Sequence, residues 1–349
     1  MKLLAAKPDA LLRAFVIWAG CAIVSALPIS QIAFASENAA SQSQAMNPAD
    51  LVNDMTKALK TLNYEGTFVH VQGAHITSMH ILHSSDELGE LERLSSLDGE
   101  AREVIRNNAL VTCIWPGTQS VVVSKSKPRD LLPKLDDSLT SSMRYEFMMG
   151  KADRVAGIDT HVVNVKPIDK HRYGYKFWID QETNMLLRSM LMDGPNSVVE
   201  QVMFTQIEYP DAISADRFEA LPTGEQLSWL EPTRTEATSG LPKGLADQED
   251  RVEFGKLPMG YKEVAETFTP MLDEENPLTH VMLTDGMASV SVYVEYLSKD
   301  DYKESSKGLS SMGAMNAYGM SLGQAFVTAV GEVPSETVMA IAKAVKIRQ

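Results

Sequence analysis

Residues 173–192 read YGYKFWIDQETNMLLRSMLM, two apolar runs on either side of the polar turn DQETN. Side chains alternate across a strand, so Tyr175, Phe177 and Ile179 take one face of the first run and Trp178 takes the other. In the second run Leu187 and Leu191 oppose Leu186, Met190 and Met192. A sheet with one wet face alternates apolar with polar residues, and these strands do not. They predict a hairpin with apolar material on both faces. Two arrangements satisfy that: helices laid over the second face, or a curved sheet wrapped around an apolar cavity that a ligand fills. Among the chain's 19 methionines, those at 143, 148, 149, 185, 190, 192 and 203 suit a pliable lining, and equally the filling of core gaps.

The same texture runs from Tyr64 to about Tyr209: short runs rich in Val, Ile, Phe, Tyr and Met, broken by QG at 72, DG at 98, NN at 107, PG at 116, DQETN at 180 and DGPN at 193. Strands joined so closely must be antiparallel, because a parallel neighbour needs a crossover of about a dozen residues or more. One helical interruption is expected near PRDLLPKLDDSL (128–139). Before the strands, Asn47 can cap a helix with Pro48 at its first position, and Leu51, Met55, Leu59 and Leu62 form its apolar stripe.

The chain has 349 residues, 44% hydrophobic and 22% charged, as in an ordinary globular protein of two domains. Residues 1–35 read as a cleaved export signal. Lys2, Lys7 and Arg13 are its positive region, AFVIWAGCAIVSALPI (14–29) its apolar core and Ala33-Phe34-Ala35 its cleavage site. An uncleaved anchor would need a longer apolar run, and Trp18 sits where a lipobox ending in Cys21 wants Leu. The expected compartment is the periplasm, with 36–46 a flexible polar stretch. Losing the signal removes three basic residues and one acidic from a chain of net charge −14, so the remaining body is more acidic still and repels nucleic acid and anionic membrane surfaces overall. Of the two cysteines only Cys113 then remains; it cannot form an internal disulfide and reads as a small hydrophobe in the strand-like run LVTCIWP.

Residues 220–250 are rich in Pro, Thr, Ser, Gly and charge without a sustained period, and mark a linker between a domain at 47–219 and a smaller α+β domain at 251–349. In the latter, Asp285-Gly286 is a turn pair before an alternating run that puts Val290, Val292 and Val294 on one face. A closing helix is capped by Ser335, striped by Val338, Ile341, Ala342 and Val345, and ended by Lys343, Lys346 and Arg348 in its last turn.

Catalytic patterns are absent: there is no G-x-S-x-G, G-x-x-x-x-G-K-[ST], H-E-x-x-H or G-x-G-x-x-G. Ser124 to Lys127 satisfies S-x-x-K without the companion motifs of that chemistry and reads as a charged surface stretch. Four of the seven histidines, His70, His75, His80 and His83, lie within FVHVQGAHITSMHILH (68–83). Parity scatters them over two faces and a turn, so they read as hydrogen-bonded strand histidines rather than a metal site. Lys125, Lys127, Arg129 and Lys134 form a basic cluster in an acidic chain, suited to a phosphate-bearing head group or an acidic partner segment and equally to a solvated loop.

YEGTFVHVQG (64–73), ERLSSLDGEAREVIRNN (92–108), VTCIWP (111–116), YGYKFWIDQETNMLLRS (173–189), LPMGY (257–261), TDGMASVSVYVE (284–295) and VGEVP (330–334) resemble, in order and across both domains, the RseB/MucB family of periplasmic regulators. The resemblance implies a first domain similar to the lipoprotein carriers LolA and LolB, an antiparallel half-open β-barrel with helices on its concave side. It implies as partner the periplasmic part of a single-span anti-sigma factor of the RseA/MucA type. Bound there, such a protein shields the partner from a site-one protease and keeps an envelope-stress sigma factor inactive until lipid or lipopolysaccharide-like signals loosen the complex. In MucB relatives the output includes alginate production. The histidine-rich hairpin carries nothing over from the family.

Strand parity nominates Phe68, Met79, Ile81, Tyr175, Phe177, Leu187 and Leu191 as the apolar ligand-contacting set. The basic cluster supplies head-group or partner contacts, and no cofactor, metal or catalytic residue is expected. A lipoprotein or lipid carrier is the competing reading, which the second domain weighs against, and an enzyme comes last. Whether two copies pair as a homodimer is left open.

Overall fold

The computed structural model describes residues 46–118, 120–125, 144–219, 228–230, 251–270, 277–296 and 307–348. It opens with helix α1 (Pro48–Thr61), where the Asn47 side chain accepts a hydrogen bond from the Ala49 amide at 3.1 Å and Pro48 occupies the first turn. A helix of this length is marginal alone in water. Leu51, Val52, Met55 and Leu59 are buried, and four such side chains contribute roughly 1.5–3 kcal/mol each. Packing therefore holds α1 in place.

The strands that follow are β1 (Tyr64–Gln72), β2 (His75–Asp86), β3 (Gly89–Ser96), β4 (Glu103–Asn107), β5 (Leu110–Trp115), β6 (Ser120–Lys125), β7 (Tyr145–Met149), β8 (Asp153–Val155), β9 (Ile158–Pro167), β10 (Gly174–Asp180), β11 (Leu186–Met192), β12 (Val198–Glu208) and β13 (Ser228–Leu230). They form one sheet in the order β13-β6-β5-β4-β3-β2-β1-β12-β11-β10-β9-β7, with β8 paired to β9. The turns anticipated at 72, 107, 180 and 193 carry positive-φ residues Gly73, Asn108, Asn184 and Gly194. Strand β12 closes the meander onto β1, while β7 and β13 end the sheet without pairing to each other, so the barrel is open. Helix α1 touches β2, β7 and β11, with β7 six places from β2 in the order, so it lies in the trough of a sheet that curves around it. Strand β13 comes from the stretch read as linker and pairs with β6 in parallel; every other strand pair described is antiparallel.

One glycine is fixed by packing. A Cβ on Gly66 would stand 2.6 Å from the Gln206 carbonyl oxygen and 2.9 Å from the Phe204 ring. That ring packs edge-on to Tyr64 and Phe68, at centroid distances of 6.5 and 5.6 Å. Strand propensity alone favours Val over Gly. Because overpacking dominates, Gly66→Val is expected to lower stability in urea by about 1–3 kcal/mol. A stabilised variant would show that the ring has room to move.

The second domain contains β14 (Arg251–Phe254), β15 (Lys262–Pro270), β16 (Pro277–Thr284), β17 (Ser289–Tyr296), β18 (Gly308–Met312), β19 (Met315–Leu322), β20 (Ala325–Gly331), α2 (Ser335–Ala344) and β21 (Val345–Arg348). Its main sheet runs β15-β16-β17-β20-β19-β18, with α2 against β19 and β20 and a separate β14-β21 pair. Val281, Leu283, Val290, Val292, Val294, Val327, Val338 and Ile341 form its core. Two details differ from the sequence reading. Pro334 rather than Ser335 is the N-cap, and the Ser335 hydroxyl turns to Glu336 instead. The helix also stops at Ala344: Val345 and Ile347 alternate inward with a strand's period of two, so Lys346 and Arg348 lie on β21 and Lys343 alone is left in the last turn.

Candidate functional site

Register places the seven apolar candidates. Phe68 pairs with Met79 and with Phe204, and Ile81 pairs with Gly66, two residues from Phe68. Across β12, Val202 pairs with Ser189 and Glu200 with Leu191; Ser189 in turn pairs with Phe177 and Leu191 with Tyr175. Leu187 precedes Ser189 by two. Paired residues share a face and so do residues two apart along a regular strand, hence Phe68, Met79, Ile81, Tyr175, Phe177 and Leu191 stand on one face of the sheet, the face that α1 covers, while Leu187 is the residue left unpaired where the register shifts between Trp178–Arg188 and Ile179–Leu186. Within it Phe177 packs with Leu51, Val52 and Met55 of α1, whereas Leu187, Phe68 and Ile81 belong with Leu59, Tyr64 and Phe204. Phe177, Leu187 and Met79 are buried; Phe68, Ile81, Tyr175 and Leu191 are half-buried. The same face continues through Leu94, Val104, Cys113 and Val122, all half-buried, so Cys113 is a free thiol among aliphatic neighbours on the trough wall.

The opposite face explains the second apolar stripe. Trp178 is buried with Val155 and Val162, its Nε1 donates to Asp153 at 2.9 Å, and Lys176 and Arg188 lie over its ring at 4.7 and 4.3 Å. Strand β8 and the stems of charged side chains shelter it. The two-faced pattern thus has two causes, a helix on one side and local cover on the other.

The histidines are dispersed. His70 meets Glu200 at 2.8 Å and His80 meets Glu65 at 3.2 Å. His83 is buried and stacked on Tyr64, its Nδ1 donating to the Leu62 carbonyl at 2.8 Å and its Nε2 lying 3.3 Å from Glu90. Among the described residues no three metal-ligating side chains converge. Of the basic cluster, Lys127, Arg129 and Lys134 fall outside the described residues, and Lys125 is described only as the backbone end of β6.

Sequence reasoning missed the joint between the domains. The Arg172 guanidinium, on the loop between β9 and β10, is fully buried. Its Nε donates to Asp285 Oδ2 at 2.6 Å, its Nη1 to Asp169 and its Nη2 to the Met259 carbonyl. The rings of Tyr145 and Tyr261 flank it, 5.9 and 5.3 Å from the guanidinium carbon. Burial works against that charge, and Asp285 and Asp169 outweigh it, so Arg172 holds its proton more firmly than usual. Asp285 is equally buried: Oδ1 accepts from the Met287 and Ala288 amides at 2.9 and 2.8 Å, and Oδ2 also accepts from the Tyr145 hydroxyl at 3.2 Å. Arg144 donates to the Gly260 and Asp285 carbonyls, and Gly260, at φ +87°, leaves the room that Arg144 fills. Burial, then Asp285, push the Tyr145 and Tyr175 hydroxyls well above the usual phenol range. Next to Asp285, Met287 is buried in the first domain's cluster against Leu51, Val52 and Met55. Helix α1 therefore touches both the trough wall and the tip of the β16–β17 hairpin. No periodicity flags a pair 113 residues apart; Asp285 showed only as half of a turn signal.

Two family descriptions cover this architecture: the MucB/RseB N-terminal domain matches residues 47–222 and the MucB/RseB C-terminal domain matches residues 246–346. The chain belongs to the MucB/RseB family. Its similar relatives include the Sigma-E factor regulatory protein RseB of Haemophilus influenzae, 28% identical over 94% of this chain and 97% of that protein. The Sigma factor AlgU regulatory protein MucB of Pseudomonas aeruginosa is 27% identical over 87% of this chain and 92% of that one. The MucA/MucB complex structure from Pseudomonas aeruginosa matches with a TM-score of 0.65 at 25% identity, covering 87% of this chain and 100% of that chain. A structure of MucB in complex with MucA(peri), at 24% identity and TM-score 0.63, shares the fold.

Proposed function

We propose that this chain is a periplasmic negative regulator of an envelope-stress sigma factor. It binds the periplasmic region of a single-span anti-sigma factor and protects that region from a site-one protease. The observation that carries this reading is the match of both family domains, in order, together with a fold shared by a relative solved with MucA. No helix among the described residues is long and apolar enough to cross a membrane. The first domain is the sensing half: a lipid-type ligand enters the trough beside α1, where Phe68, Ile81, Tyr175 and Leu191 are incompletely covered. The second domain contributes to partner binding, and the Arg172–Asp285 joint ties the two. The test is the cleavage rate of the partner's periplasmic segment by its protease. Added protein should slow cutting, and an amphiphile should restore it. A rate unchanged by the protein ends the proposal.

A further inference from the structure

Strand β4 sends one charged side chain onto the trough face. Arg106 stands two residues from Val104, with Cα partners Glu92 on β3 and Val111 on β5. Its Nη1 is buried and has no hydrogen-bond partner, Glu92 leaving that nitrogen unmatched. Arg93 and Arg188 also bury an unpartnered nitrogen, but in each it is Nε, and their terminal nitrogens are engaged: Arg93 Nη2 donates to both Glu103 oxygens at 3.0 and 3.1 Å, and Arg188 Nη2 to Gln201 at 2.8 Å, while Arg217 forks onto Glu65 at 2.8 and 2.7 Å. Arg106 is the one of the four whose terminal nitrogen is buried without an acceptor. A guanidinium stays charged at any ordinary pH, and a buried cationic donor without an acceptor is costly. The nearby wall is apolar, formed by Leu94, Val104, Val111 and Cys113.

We propose that Arg106 is the anion-binding group of the trough, taking the carboxylate or phosphate of an amphiphile whose acyl chain lies along Leu94, Val104 and Cys113 toward Ile81. This rests on the lipid-sensing half of the proposed function and names the head-group class it takes. A bare hydrated ion gains little from aliphatic walls, whereas each buried methylene of an acyl chain contributes about 0.8 kcal/mol. The planar fork of Arg suits either oxyanion.

Decanoate, decyl phosphate and decanol, titrated into the full chain and followed by calorimetry, decide the matter. Wild type should bind at least one of the two anions about 10-fold more tightly than decanol, the scale of a charge-assisted hydrogen bond; which anion it favours separates a fatty carboxylate from a phosphate head group. Arg106→Met should erase that preference, keep the decanol affinity and leave the melting temperature of the ligand-free protein unchanged or higher, since it removes a buried nitrogen that has no acceptor from a half-buried side chain. A preference that survives in Arg106→Met overturns the assignment. So does a fall in ligand-free stability, which would mark Arg106 as structural. Binding of none of the three probes overturns this site and the lipid-sensing half together, and leaves the protease-protection result to stand by itself.

Discussion

Arg172→Met is expected to cost about 3–5 kcal/mol in denaturant unfolding, the scale for breaking a buried ion pair. The loss comes from what stays behind. Asp285 would keep a full charge in a site with no exposed side-chain surface, served only by the Tyr145 hydroxyl and the Met287 and Ala288 amides. Asp169 is partly exposed and can return to water. Asp285→Asn should cost less than Arg172→Met in the turn itself, because an amide oxygen still accepts from the two backbone amides. It too strands a buried charge, that of Arg172. The double variant should therefore be more stable than the two single losses added together, by about 1.5 kcal/mol or more, as for other close charge pairs. The tryptophans after residue 35 are Trp115, Trp178 and Trp229, so fluorescence reports on the chain before residue 251 while far-UV circular dichroism reports on both domains. In wild type the two signals should unfold together; in Arg172→Met they should separate. Coincident transitions with a loss under about 1 kcal/mol would mean the pair is no more than a surface-strength contact.

The sheet was legible because its evidence is local. Hairpin turns at 72, 107, 180 and 193 announce themselves by residue type, and once the turns are placed, parity assigns faces. Within each hairpin parity puts Phe68 with Met79 and Tyr175 with Leu191, but that the two pairs share a face follows only from the strand order β1-β12-β11-β10. Position along the face was not legible. Phe177 lies under α1 and Leu191 does not, and only the tertiary placement of the helix separates them. The end of α2 was misread for a related reason: Val345 satisfies a helical stripe and a strand alternation alike, and pairing with β14 decides for the strand. The joint left no trace at all. Arg172 and Asp285 look like a loop cation and a turn anion, and nothing in a single sequence says that two such residues will be buried on each other.

Phe177→Ala should remove about 3–5 kcal/mol, the range for truncating a buried aromatic ring. The ring is fully buried in one cluster with Leu51, Val52, Met55, Tyr145 and Met287, so the void opens away from solvent and only Met55 and Met287 are pliable enough to fill part of it. The cavity would open where α1 meets the hairpin tip of the second domain, and both should loosen. Hydrogen exchange should therefore rise in residues 48–61 and 285–288 beyond the uniform increase that lower global stability imposes. Leu191→Ala is the matched control: it stands on the same face, on the strand next to that of Phe177, is half-buried and lies in neither core cluster that involves α1. It should cost under about 1.5 kcal/mol, because a side chain that already meets water has less transfer energy to lose. If both variants cost the same, α1 does not seal this end of the trough, and the helix cannot be the element shared between ligand wall and domain joint. If Phe177→Ala alone is severe and its exchange rises at both segments, the wall candidates divide into two kinds. Phe177, Leu187 and Met79 hold the trough in shape, and Phe68, Ile81, Tyr175 and Leu191 are the ones left free to meet a ligand.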